Sequence, residues 1–176
     1  MTFNEDSLET FFMEEFESRG YEHVIGDTIV RAETDILIAE DLRQYLRQKY
    51  SKENLLDVEI NMILATFASR DRGIYVDNRD TFNKIRDGFA FRRVDKSKPA
   101  IWINLINFKE PGNNLFKIVN QYVIQGPKQR RRPDAIVFIN GIPMVVIEFK
   151  TAVKEETSIY DAYEQINTRY VRDIPE

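Results

Sequence analysis

Asp134, Glu148 and Lys150 are the residues of this chain whose types and spacing could do chemistry. They lie in the run RPDAIVFINGIPMVVIEFK, from Arg132 to Lys150. A Pro-Asp pair opens an apolar strand, Asn140-Gly141 turns it, and a second apolar strand closes on Glu-x-Lys. Strands apolar on both faces are normally buried, where isolated charges are expensive unless they pair or hold a metal. Two carboxylates offer only oxygen ligands, which select Mg²⁺ or Mn²⁺ over zinc. Such a cation polarises a phosphoryl oxygen and helps deprotonate an attacking water. Lys150 could position that water or stabilise the developing phosphorane charge. On the spacing alone, the alternative that these are strand-end charges pairing with one another stays open.

The three can meet only if the hairpin has the right parity, because successive strand residues face opposite sides and cross-strand neighbours share a face. A plain two-residue turn at Asn140-Gly141 would set Asp134 opposite Ile147 and turn it away from Glu148 and Lys150. A three-residue loop with Gly141 left-handed reverses that parity. The expectation is the odd-length loop. Asp134, Ile136, Phe138, Met144, Val146, Glu148 and Lys150 then share one face, with the carboxylates about 5–8 Å apart.

The elements that must position these residues follow from periodicity. Leu8, Phe11, Phe12 and Phe16 form a helical stripe over 7–19, capped by Ser7 and stopped by Gly20. A short extended piece follows over 21–31. Residues 39–49 and 52–68 have amphipathic helical spacing, and 78–86 is a weaker helical or irregular segment. From 89 the period changes to two, and FAFRRV, IWINLINF, LFKIVNQYVIQ, AIVFI and MVVIEF are five strand-like runs. Residues 157–172 return to helix. The order implies an α+β (mixed α/β) fold.

Composition narrows the function classes. With no cysteine and one histidine, His23, the chain has no thiolate zinc site, no thiol nucleophile and no His-rich metal site. That usage also fits a reducing cytoplasm. No stretch approaches a bilayer-spanning length and no secretory signal opens the chain, so no membrane partner is expected. A net charge of −4 argues against holding DNA by bulk charge alone. The exception is Lys128-Gln129-Arg130-Arg131-Arg132, directly before Pro133-Asp134, which reads as a phosphate clamp, the alternative being a solvated loop. There is no G-x-x-x-x-G-K-[ST] phosphate loop. The chain stops at VRDIPE, inside a helix and its exit, and so reads as the N-terminal portion of something longer.

Phe91 through Lys150, with INLINF, PGNNLFKIVNQYVI and RRRPDAIVFINGIPMVVIEFK, resembles the N-terminal region of the restriction (R) subunit of type I restriction-modification enzymes. The opening helix that ends in GYEHVIG resembles that family's first segment. The resemblance implies a PD-(D/E)xK nuclease fold, a central mixed sheet flanked by helices, over a single domain of 1–176, with 39–87 as a helical insertion. It implies Asp134 and Glu148 as metal ligands, Lys150 as catalytic lysine and Glu9 as a further acidic residue lent by the first helix. It also implies Mg²⁺ (or Mn²⁺), double-stranded DNA, modification and specificity subunits, and ATP-driven translocation only in the full-length subunit.

Family members carry Gln-x-x-x-Tyr in the helix after the lysine. Here Gln165 is followed by Tyr170 five residues on, with Arg169 in the fourth position, and on an α-helix i and i+5 do not share a face. Three possibilities therefore stand: a distorted helix, a different role for Tyr170, or substitution by Arg169. Gln165 is taken as catalytic and Tyr170 as DNA-binding. Nothing in 41–87 suggests chemistry. Two rivals are kept: a PD-(D/E)xK nuclease of another repair or defence system, and a non-catalytic nuclease-like DNA-binding module.

Overall fold

The computed structural model describes residues 5–67, 74–150 and 159–173. The chain forms two compact units, one of residues 1–38 with 116–176 and one of 39–115. The second unit is longer than the expected 39–87 insertion, because the next two strands go with it.

In the first unit, α1 (Glu5–Ser18) leads through Gly20, at φ 88°, into β1 (Glu22–Ile25). The unit resumes after residue 115 with β4 (Phe116–Asn120), β5 (Ile124–Gln125), β6 (Arg130–Arg131), β7 (Ala135–Ile139) and β8 (Ile142–Ile147). A mixed sheet runs in the order β1-β4-β7-β8. β1 pairs with β4 in parallel and the other two pairings are antiparallel. The parallel pair needs a long crossover, and the whole second unit is that crossover.

The sheet is apolar on both faces, as its sequence requires. Ile136 and Phe138 pack on one face with Ile38, Val119, Tyr122 and Ile124. On the other, Ala135, Val137, Ile118 and Phe149 pack with Met13, Leu8, Phe12 and Phe16 of α1. The stripe read from the sequence is thus the surface α1 lays on the sheet, with Phe11 exposed. The long run LFKIVNQYVIQ is not one strand: Gln121 takes φ 54° and breaks it between β4 and β5.

In the second unit, α2 (Ala39–Lys49), α3 (Asp57–Ala65) and α4 (Ile74–Asp87) precede a two-stranded antiparallel sheet of β2 (Phe89–Phe91) and β3 (Ile101–Ile103). The segment expected to be weakly helical over 78–86 is therefore a helix of 14 residues. The runs FAFRRV and IWINLINF contribute only three strand residues each, paired with one another. A buried ion pair pins this unit together. Glu59, fully buried, accepts from Arg93 Nε at 2.8 Å, from the Val94 amide at 2.9 Å and from the Leu56 amide at 3.0 Å.

Among the described residues, no helix is long and apolar enough to cross a membrane.

Candidate active site

The hairpin that carries the carboxylates does not use the expected three-residue loop. Asn140 (φ 52°) and Gly141 (φ 75°) form a two-residue turn, with Ile139 paired to Ile142. Both turn residues are left-handed, as a type I′ hairpin demands. The parity reversal comes from within the strand. Phe138 pairs with Pro143 but Val137 pairs with Val145, so Met144 is an extra, unpaired residue. The signal was in the sequence: Pro143 has no N–H to give the ladder, and prolines in strands sit at edges or bulges. β8 is the edge strand and Pro143 lies beside the bulge.

Past the bulge, Ala135 pairs with Ile147, so the register carries Asp134 opposite Glu148. Phe149 is buried against Phe12 of α1, ring centroids 5.3 Å apart. Its anchoring turns Glu148 and Lys150, one residue to either side, away from the α1 face. Asp134 is held by the Phe149 amide, which donates to its Oδ2 at 2.6 Å.

Glu148 is a perturbed carboxyl. Burial, opposed by a hydrogen bond from Tyr170 and augmented by the neighbouring Asp134 carboxyl, raises its pKa to about 7; the Lys150 ammonium pulls the other way.

The C-terminal helix closes over Glu148 through a local irregularity. α5 (Ile159–Glu164) continues as a π-helical turn, Gln165–Tyr170, and then α6 (Val171–Asp173). A π-turn closes i to i+5, bringing onto one side two residues that an α-helix would separate. Gln165 Nε2 donates to Glu148 Oε2 at 2.7 Å and to the Tyr170 hydroxyl at 3.0 Å. The Tyr170 hydroxyl in turn donates to Glu148 Oε1. Of the three possibilities for the Gln165/Tyr170 spacing, the distorted helix is the one observed. Burial and the Glu148 carboxylate push the Tyr170 phenol well above its ordinary pKa. Residues 157 and 158, expected to start this helix, lie outside the described residues.

The remaining candidates make other contacts. Glu9 Oε1 accepts from Asn120 Nδ2 at 2.8 Å, and Asn120 Oδ1 lies 3.2 Å from His23 Nε2. Glu9 does not complete a three-carboxylate cluster with Asp134 and Glu148: among the described residues no three acidic or His side chains lie together as a metal-holding group. Arg130 forks onto Glu33 at 2.9 and 2.6 Å. Arg131 binds the fully buried Asp173 through Nε at 2.8 Å, which ties β6 to α6. Arg172 and Arg131 together hold the Asp173 carboxyl far below the usual range. Arg132 is exposed.

Known proteins share this sequence pattern. A sequence model of the type I restriction enzyme R protein N terminus matches residues 2–176. The chain belongs to that family. It is 29% identical over 176 residues to the type I restriction enzyme HindI endonuclease subunit of Haemophilus influenzae, covering 94% of this chain and 16% of that subunit. It is 28% identical over 167 residues to the SsaAORF53P endonuclease subunit of Staphylococcus saprophyticus, again 16% of the relative's length. The putative MjaIXP endonuclease subunit of Methanocaldococcus jannaschii is 35% identical over 82 residues, 45% of this chain and 8% of that subunit. The chain thus spans about a sixth of the full-length relatives it matches.

The donor set fits a hard divalent cation. Two carboxyls set opposite one another at the end of the β7–β8 ladder call for added positive charge before both can ionise. Mg²⁺ is commonly held by one or two carboxylates, with water and phosphate oxygens completing its shell.

Proposed function

We propose that the chain is the metal-dependent nuclease domain of a type I restriction enzyme R subunit, hydrolysing phosphodiester bonds of double-stranded DNA. The observation that carries this reading is the bulge at Met144, which sets Asp134 opposite Glu148 with Lys150 two residues on. A surface rim of charges would need no such correction of parity.

In this reading Asp134 and Glu148 hold Mg²⁺ or Mn²⁺, which when bound supplies Lewis-acid activation of the scissile phosphate and its attacking water. Lys150 places its ammonium beside the attacked phosphate and offsets charge there. Gln165 and Tyr170 keep the Glu148 carboxylate in one orientation, the supporting role that partners of metal ligands play. Tyr170 thus acts through Glu148 rather than on DNA. Arg131 is tied to the buried Asp173, whereas Arg130 makes only an exposed pair with Glu33, so Lys128, Arg130 and Arg132 are the members of the basic run available to a phosphate.

In this reading, ATP-driven translocation, association with modification and specificity subunits, and a cytoplasmic setting are assigned to a full-length R subunit, on the resemblance to that family alone. The test of the domain's own activity is nicking of supercoiled plasmid with Mg²⁺ or Mn²⁺, by this chain and by the full-length subunit assembled with its partners. Metal-dependent nicking that Lys150→Ala abolishes is expected; nicking unaffected by Lys150→Ala would contradict the assignment.

A further inference from the structure

The unit of residues 39–115 carries a charge opposite to the rest of the chain. It holds 14 Lys and Arg against 11 Asp and Glu, a net of +3, while the remaining residues hold 11 against 18, a net of −7. The overall −4 hides this division. The unit that contains Asp134 and Glu148 is therefore the acidic one, and positive charge for a polyanion is concentrated in the other.

Within that basic unit, α4 presents one face to solvent: Tyr75, Asn78, Arg79, Phe82, Asn83 and Arg86, all exposed. Their spacing of three and four makes a continuous stripe along the helix. No carboxylate belongs to it. Asp77 is buried on the opposite side, and Asp80 pairs with Lys84 at 2.9 Å. The Arg79 guanidinium lies 5.6 Å from the Tyr75 ring centroid and that of Arg86 lies 5.4 Å from Phe82. Arg79 has no acidic partner among the described residues. Arg86 forks onto its neighbour Asp87 at 2.7 and 2.6 Å, with both side chains more than half exposed. An exposed pair of this kind contributes little and is readily exchanged for a phosphate.

Tyr75 and Phe82, 76% and 57% exposed, are large aromatic groups left open to solvent, and each lies beside a guanidinium. Arg, Asn and Tyr are side chains that bond phosphate oxygens. A basic, acid-free helical stripe in the one basic unit of an acidic chain is the electrostatic footprint of a nucleic-acid contact.

We propose that the exposed face of α4 binds the phosphate backbone of duplex DNA, through residues none of which belongs to the carboxylate site. The inference concerns binding alone and does not rest on cleavage. It is tested with a fluorescently labelled 20-base-pair duplex titrated with this chain in EDTA, so that no metal contributes, at 50 to 200 mM salt. The parent should bind, with log affinity falling linearly with log salt. Arg79→Gln/Arg86→Gln should weaken binding roughly tenfold at low salt and reduce the salt slope by about 2, one for each phosphate that an arginine no longer neutralises. Arg19→Gln, which removes an exposed arginine of the acidic unit paired with Glu15, should leave the titration unchanged, and because no metal is present, failure of the carboxylate reading is told apart from failure of this one.

A second readout uses the unaltered chain. DNA should protect Arg79 and Arg86 from a dicarbonyl reagent that modifies arginine, located by mass spectrometry. No binding by the parent, affinity and slope unchanged in the double variant, or unaltered reactivity at both arginines would each overturn the proposal. A face that serves a protein partner instead would produce those negative results.

Discussion

Glu148 has both carboxylate oxygens bonded, one by Gln165 and one by Tyr170, and its pKa is raised to about 7. A carboxyl raised in the folded state binds its proton more tightly there than when unfolded. The stability this confers is full below its ordinary value of 4.5 and is lost as pH rises through about 7. Glu148→Gln, which cannot ionise, should therefore raise the melting temperature relative to the parent at pH 8 in EDTA and change it little at pH 4. An equal effect at both pH values would refute this environment for Glu148. Because the Tyr170 hydroxyl lowers the Glu148 pKa, Tyr170→Phe should raise it further. The expected outcome is Mn²⁺ affinity at pH 7 weaker by about tenfold and partly recovered at pH 8, measured by calorimetry. The types and spacing of Asp134, Glu148 and Lys150 were legible in the sequence. The hold of Gln165 and Tyr170 on a single carboxylate was not, since an α-helical spacing would separate them.

Two one-residue irregularities in the elements place these side chains: the unpaired Met144 in β8 and the π-turn of Gln165–Tyr170. Each was anticipated as a problem of parity or spacing, and each was resolved differently from the simplest expectation. The hairpin kept its two-residue turn because Asn140 and Gly141 both tolerate the left-handed region, and the extra residue went to the proline-interrupted edge strand. Deleting Met144 should let the ladder close regularly with Asp134 still opposite Glu148, so Mn²⁺ binding should survive. Inserting an alanine between Met144 and Val145 should abolish it. Loss of binding on deletion would show that the bulge shapes the site beyond restoring parity. Longer elements were easier to read: the stripe of α1 and the cores of β4 and β7 follow directly from hydrophobic period, whereas the apolar run of β8 leaves Met144, Val145 and Val146 exposed on the edge strand. The run IWINLINF was misleading because alternation alone does not specify a partner, and β3 pairs only with β2.

The whole molecule is two units of opposite charge, a division that the sum of −4 conceals. The basic unit depends on the buried Glu59–Arg93 pair. The hydrogen bond from Arg93, with those from two backbone amides, holds the Glu59 pKa down to about 2. A carboxyl lowered in this way contributes stability above its ordinary value of 4.5 that is lost as pH falls through about 2. Removing one partner leaves the other charge buried, so Glu59→Ala should cost about 3–5 kcal/mol in chemical denaturation at pH 7. A cost below about 1 kcal/mol would show that the pair is solvated in solution. Every catalytic role assigned to the acidic unit depends on a metal held between two carboxylates. That dependence is tested by calorimetric titration of Mn²⁺ into this chain, into Asp134→Ala and into Glu148→Ala, each checked for folding by circular dichroism. Saturable binding by the parent, abolished by both substitutions, is expected. Binding that survives in folded forms of both variants would contradict the two-carboxylate site.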